Sequence, residues 1–116
     1  MLKVYGITNC NTVKSARAWL DAHGKRYEFV DFKKTPPTRE LLQHWCGVFG
    51  WERVLNRRGT TWRLLPPAVQ ARVKDEASAI AVMLDKPSAI KRPVVEEGKL
   101  RLIGFDETDY AAKLGR

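Results

Sequence analysis

The sequence predicts an α/β fold: a mixed four-stranded sheet in the order β-α-β … β-β-α, with a block of helices inserted in the middle. Three patterns point to it. Residues 2–31 read strand, helix, strand; residues 36–87 carry apolar residues at helical spacing between prolines and glycines; residues 90–115 read as a hairpin followed by a capped helix. At 116 residues the chain is expected to form one compact domain with a real core.

The elements follow in order. "LKVYGI" at 2–7 alternates and is rich in β-formers, so it is the first strand. Asn11 or Thr12 is the expected cap of a helix in which Val13, Ala16 and Leu20 recur at helical spacing, closed by His23-Gly24. "RYEFVD" at 26–31 is the second strand, with Tyr27, Phe29 and Asp31 on one face. If it runs parallel to the first, the crossover is right-handed. "TPPTRELLQHWCGVFGWERVL" then opens the helical block, with Leu41, Leu42, Trp45 and Val48 on an apolar face. "RRGTTWRLL" reads as a loop around Gly59, "PPAVQARV" as a helix begun by proline, and "DEASAIAVMLDKPS" as a helix ending before Pro87. "IKRPVVEEGKLRLIGF" gives two strands joined at Glu-Glu-Gly, and Asp106 caps a last helix, "DETDYAAKLG". With a lone cysteine after the first strand, this order is that of a thioredoxin-like core, about 1–35 and 88–116, carrying an insertion at about 36–87.

Composition excludes several classes of function. No apolar run approaches the roughly 20 residues that cross a bilayer, and "MLKVYGITNC" lacks the basic and apolar regions of a signal peptide. A cytoplasmic protein with no membrane partner is expected. Cys10 and Cys46 form no disulfide framework, and with His23 and His44 they complete no zinc pattern, so no metal is expected. The net charge of +8 suits an anionic ligand, an acidic partner or a merely solvated basic surface. Its pairs, Lys33-Lys34, Arg57-Arg58 and Lys91-Arg92, are dispersed, which speaks against direct nucleic-acid binding. No long apolar surface stripe is left over, so a monomer is expected.

The chemistry centres on Cys10. A thiol just before a helix faces unpaired backbone N–H groups and the positive end of the helix dipole, and both favour the nucleophilic thiolate. Asn11 and Thr12, with Lys14 four residues on and Arg17 a turn further, are the expected stabilisers. Val13 stands where a dithiol oxidoreductase has its second cysteine, and Ala16 where a phosphatase loop has its arginine. Cys46 reads as core packing, as do Trp45, Trp51 and Trp62. Arg57 and Arg58 before Gly59, and Arg92 before Pro93, are candidate anion-binding elements. In thioredoxin-like proteins a cis-proline at that strand start sits beside the reactive cysteine. An Arg92-Pro93 bond of this kind would let the Arg92 backbone pair with a peptide such as glutathione.

Taken together, "YGITNCNTVKSARAWL", "NRRGTTWRLL", "AIKRPVV" and "IGFDETDY" resemble the arsenate-reductase-like ArsC/Spx family, in its YffB-type branch, over nearly the whole chain. The resemblance implies a thioredoxin-like sheet with a helical insertion. It makes Cys10 the nucleophile, with glutathione as co-substrate and glutaredoxin as a possible partner. Of the three arginines that hold arsenate in the reductases, Arg92 matches one and Arg58 or Arg57 another. The third is expected where this chain has Gly104, and Arg101 belongs to the preceding strand. A missing donor weakens a buried oxyanion site and speaks against arsenate as the native substrate. The YffB branch implies a glutathione-dependent thiol reductase with no bound cofactor. Its site would be Cys10, with Arg58, Arg92 and Pro93 holding glutathione or another anion. The Spx branch implies instead a regulator docking RNA polymerase. Val13 removes its CxxC switch but not the docking.

Overall fold

A computed structural model describes residues 1–115. The chain resolves into two compact units, Met1–Thr35 with the chain from Arg92 on, and Pro36–Lys91.

The first unit is built on a four-stranded sheet of β1 (Leu2–Gly6), β2 (Tyr27–Asp31), β3 (Val94–Glu97) and β4 (Leu100–Ile103). The strand order is β2-β1-β3-β4, with β1 parallel to β2 and antiparallel to β3, and β3 antiparallel to β4. Alternation sets the two faces. Leu2, Val4, Val95 and Leu102 lie on the face that packs into the core, with Tyr27 and Phe29 against them. On the other face the register places Glu28, Lys3, Glu96 and Arg101 in one row, alternating in sign across all four strands. Arg101 Nε stands 2.8 Å from the Glu96 carboxylate. Opposite charges at facing positions contribute about 0.2–1 kcal/mol per pair and fix the register against a one-residue slip.

Helices α1 (Asn11–Ala22) and α7 (Glu107–Leu114) cover the apolar face. α1 buries Val13, Ala16, Trp19 and Leu20, and α7 buries Tyr110 and Leu114. The Tyr110 ring meets Trp19 and Phe105 edge-on, at centroid distances of 5.6 and 4.9 Å. Each fully buried aliphatic side chain here stabilises the unit by about 1.5–3 kcal/mol. Asp106 caps α7 by accepting from the Thr108 and Asp109 N–H groups. The β3–β4 turn is Gly98-Lys99, with Gly98 at φ +58°, rather than Glu-Glu-Gly. Glu96 and Glu97 complete the ladder because a two-residue turn with glycine at a positive φ in its first position suffices to reverse the strand.

The second unit holds α2 (Arg39–Phe49), α3 (Trp51–Val54), α4 (Thr60–Arg63), α5 (Pro67–Arg72) and α6 (Glu76–Asp85), then a 3-10 turn at Pro87–Ala89. Thr38 caps α2, and Asp75 with Ser78 forms a capping box on α6. Leu42, Trp45, Cys46, Ala79, Ile80 and Met83 are its buried residues on those two helices. Three expectations are corrected. Val48 is 46% exposed, because the buried stripe of α2 runs through Leu42, Trp45 and Cys46 and position 48 falls to its side. "RRGTTWRLL" is not all loop but contains α4, four residues long and below the length at which periodicity shows. Trp45 is fully buried, whereas Trp51 and Trp62 are only half-buried.

Candidate functional site around Cys10

Cys10 is itself the N-cap of α1. Its backbone is extended (φ −150°, ψ 119°), and its carbonyl accepts the Lys14 N–H at 2.9 Å. Asn11 and Thr12, the expected caps, are instead the first two helical residues. No side-chain oxygen caps the helix, so its first N–H groups face the cysteine sulfur. The half-buried thiol is held below its ordinary value. Burial opposes ionisation, but it is outweighed by the Val13 N–H, the Arg92 guanidinium, which both hydrogen-bonds and attracts the sulfur, and the Thr12 N–H. Thr12 thus contributes through its main chain. Asn11 and Lys14 are exposed and are not among the groups that lower the thiol.

The sheet explains why Arg92 is there. The antiparallel pairing of β3 with β1 sets Val94 opposite Tyr5, so the start of β3 lies beside the end of β1, from which the chain runs on to Cys10. Arg92-Pro93 precedes that start and is a cis peptide bond. The Pro93 carbonyl accepts the Gly104 N–H at 2.8 Å, and the Gly104 carbonyl accepts the Tyr110 hydroxyl at 2.8 Å. Tyr110, buried and with its phenol pushed up by burial, serves as a donor from the core.

Gly104 sits at φ +72°, a conformation that a side chain disfavours. The Arg101 guanidinium pairs with Glu96 and donates to the Gly98 and Leu100 carbonyls on the hairpin.

Arg57 and Arg58 lie in the second unit, in an Asx turn where Asn56 Oδ1 accepts the Arg58 N–H at 3.2 Å. The Arg57 guanidinium stacks over Trp51, 5.3 Å from the ring centroid, whereas the Arg58 side chain is exposed. Cys46, also in that unit, is 4% exposed. Burial first, and Glu76 second, push its thiol up to about 11. It is a core residue rather than a nucleophile.

Arg17 departs most from expectation. It does not turn toward the sulfur. Its Nε donates to the Tyr27 hydroxyl at 3.0 Å, and its guanidinium lies 4.1 Å from the Phe29 ring centroid. Sequence reasoning also missed the Val13 amide as the main helper of the thiolate. The signal for it was the cap position of the cysteine itself. No group of three or more His, Cys, Asp or Glu among the described residues is arranged to hold a metal ion, and no described helix is long and apolar enough to cross a membrane.

Comparison with known proteins agrees with this geometry. A solved structure of a YffB protein superposes with a TM-score of 0.93 at 50% identity, covering 98% of this chain and 99% of that one. An arsenate reductase (ArsC) related protein from Brucella melitensis is 45% identical over 96% of this chain and 92% of its own, with a TM-score of 0.76. The global transcriptional regulator Spx of Streptococcus pneumoniae is 25% identical over all of this chain and 87% of its own length. The ArsC family model matches residues 5–113, spanning the thiol, the cis-proline and both units. The chain therefore belongs to the ArsC family, and its architecture is the thioredoxin-like α/β fold of that family.

Proposed function

We propose that the protein is a cytoplasmic, monomeric thiol reductase that uses Cys10 as its only nucleophile and glutathione as co-substrate. The observation that carries this reading is the Cys10 sulfur at the start of α1, held below its ordinary pKa by the Val13 and Thr12 amides and by Arg92. The Cys10 thiolate attacks one sulfur of a disulfide, R–S–S–R′. A Cys10–S–S–R bond forms, the original S–S bond breaks, and R′–S⁻ leaves with the electron pair. A glutathione thiolate then attacks the R sulfur, giving R–S–S–glutathione and regenerating the Cys10 thiolate. No second cysteine is needed: Val13 occupies the usual resolving position and is fully buried. Arg92 stabilises the thiolate before attack and again as it leaves. Arg58 and Pro93 are assigned to anion or peptide binding, and glutaredoxin is an external reductant for the mixed disulfide.

The test is intact mass after exposure to oxidised glutathione. One glutathione adduct on Cys10, absent in Cys10→Ser and removed by reduced glutathione, is the expected result. A protein that stays unmodified while free cysteine reacts would overturn the reading.

Arsenate reduction is disfavoured by the same geometry, since Gly104 supplies no cation and Arg101 is committed to Glu96. The likeness to Spx along the whole chain favours one second reading, a regulator docking RNA polymerase. Arg53, Arg57, Arg58, Arg63, Arg72 and Lys74 follow one another without an intervening acid and suit an acidic protein surface. This reading expects polymerase binding that survives Cys10→Ser and weakens with salt. Purified polymerase that does not bind at low salt would exclude it.

A further inference from the structure

Arg17 is a half-buried cation with no carboxylate partner among the described residues. Its position is nevertheless fixed. The Tyr27 hydroxyl accepts from Nε at 3.0 Å, and the Phe29 and Tyr27 rings lie 4.1 and 5.7 Å from the guanidinium. Stacking holds the plane of the group while leaving its terminal N–H groups to bond an anion, the arrangement in which arginine recognises carboxylates. Arg17 lines a cavity of about 570 Å³ along the β2 edge. Lys3 and Lys34 add two more cations to its wall, and Glu28 and Asp31 two carboxylates. Thr8, two residues before Cys10, lines it as well.

The spacing relates this cavity to the thiol. Positions 10 and 17 are seven apart, two turns of helix, and so lie on one face. The rise between them is about 10 Å, close to the span of three extended residues. A second cavity of about 540 Å³ shares Arg17, but it runs from Met1 to Arg26 and includes no residue of the loop that carries the thiol.

We infer that the β2-edge cavity is the binding site for the charged end of a tripeptide-sized zwitterionic thiol of the glutathione class, with Arg17 clamping a carboxylate and Glu28 or Asp31 facing its ammonium group. The inference rests on the thiol-reductase reading and deepens it: Cys10 and Arg92 handle the sulfur, and Arg17 selects the molecule that carries it. Arg17 is a binding residue here and touches no reacting atom.

The experiment is calorimetric titration of the whole chain with S-methylglutathione, which binds without reacting, in wild-type protein, Arg17→Met and Lys34→Gln. The wild type is expected to bind, Arg17→Met to weaken binding about tenfold, as for loss of a charge-assisted pair, and Lys34→Gln a few-fold. The S-methylglutathione diethyl ester, which has no free carboxylate, is expected to bind equally weakly to all three. Binding to wild type that is unchanged in a folded Arg17→Met overturns the inference and leaves the reductase reading standing. No binding to wild type, together with no glutathione adduct at Cys10, overturns the reading beneath it. Should Arg17→Met fail to fold, the exposed Lys34→Gln decides: undiminished affinity in that variant overturns the inference, and weakened affinity supports it.

Discussion

At Cys10 three donors act on one sulfur: two main-chain amides that any sequence would supply at a helix start, and one side chain, Arg92, that this sequence supplies. Only the last is open to mutation without rebuilding the helix. Arg92→Gln is expected to raise the thiol pKa and to slow alkylation of Cys10 near neutral pH by roughly 3- to 10-fold, the scale of one charge-assisted hydrogen bond. Lys14→Gln should leave the rate nearly unchanged. The sign of the linkage follows from the depressed pKa. Ionisation of Cys10 stabilises the fold above the ordinary thiol pKa, and that contribution is lost as pH falls through the native value. Urea unfolding with and without Arg92 measures it. A second residue-scale prediction concerns Gly104. Installing the missing arginine by Gly104→Arg forces a side chain onto φ +72°, a strain of about 1–2 kcal/mol. It should lower the melting temperature, as thermal unfolding of the variant beside the wild type would report.

Among the elements, the approach of β1 to α1 places the thiol. A Cβ on Gly6 would stand 2.8 Å from Val13 Cγ2, so the helix lies as close to the strand as glycine permits. Gly6→Ala is expected to cost about 1–3 kcal/mol by overpacking and, by displacing the first turn of α1, to slow Cys10 alkylation. Chemical denaturation and alkylation kinetics on the same variant check both. The sheet and its two covering helices were legible because their signals are strong: strict alternation in Leu2–Gly6, the helical spacing of Val13, Ala16 and Leu20, and an aspartate cap at 106. The misread points share a cause. Asn11 and Thr12 are better capping residues than cysteine, so the cap was placed one or two residues late. α4 is too short for periodicity, and Val48 falls to the side of the stripe that Leu42, Trp45 and Cys46 bury, a phase that Leu41 and Trp45 alone did not settle. Of the candidate site, the place of Cys10 at a helix start and of Arg92 before a cis-proline was readable from position. The fate of Arg17 was not, because it depends on Tyr27 and Phe29 arriving on the neighbouring strand.

Among the described residues, each unit buries one weak acid in its core: Tyr110 in the first and Cys46 in the second. Burial raises both, so both favour the fold while protonated and weaken it once the pH climbs. For Cys46 the native value of about 11 lies above the ordinary 9.0, so its contribution is complete below pH 9 and is lost as pH rises through 11. Stability should therefore fall across that window, and Cys46→Ala should flatten part of the decline in denaturant midpoints taken from pH 8 to 11. The net charge of +8, carried by exposed arginines and lysines in both units, matches the anionic ligands that either functional reading requires. A thiolate poised at the start of α1 reacts at a pH where a free thiol is still protonated. The most direct test is the rate of Cys10 alkylation against pH in Cys46→Ala. A midpoint clearly below that of free cysteine, moved upward by Arg92→Gln, is the predicted result; a midpoint at or above free cysteine, indifferent to Arg92, would contradict it.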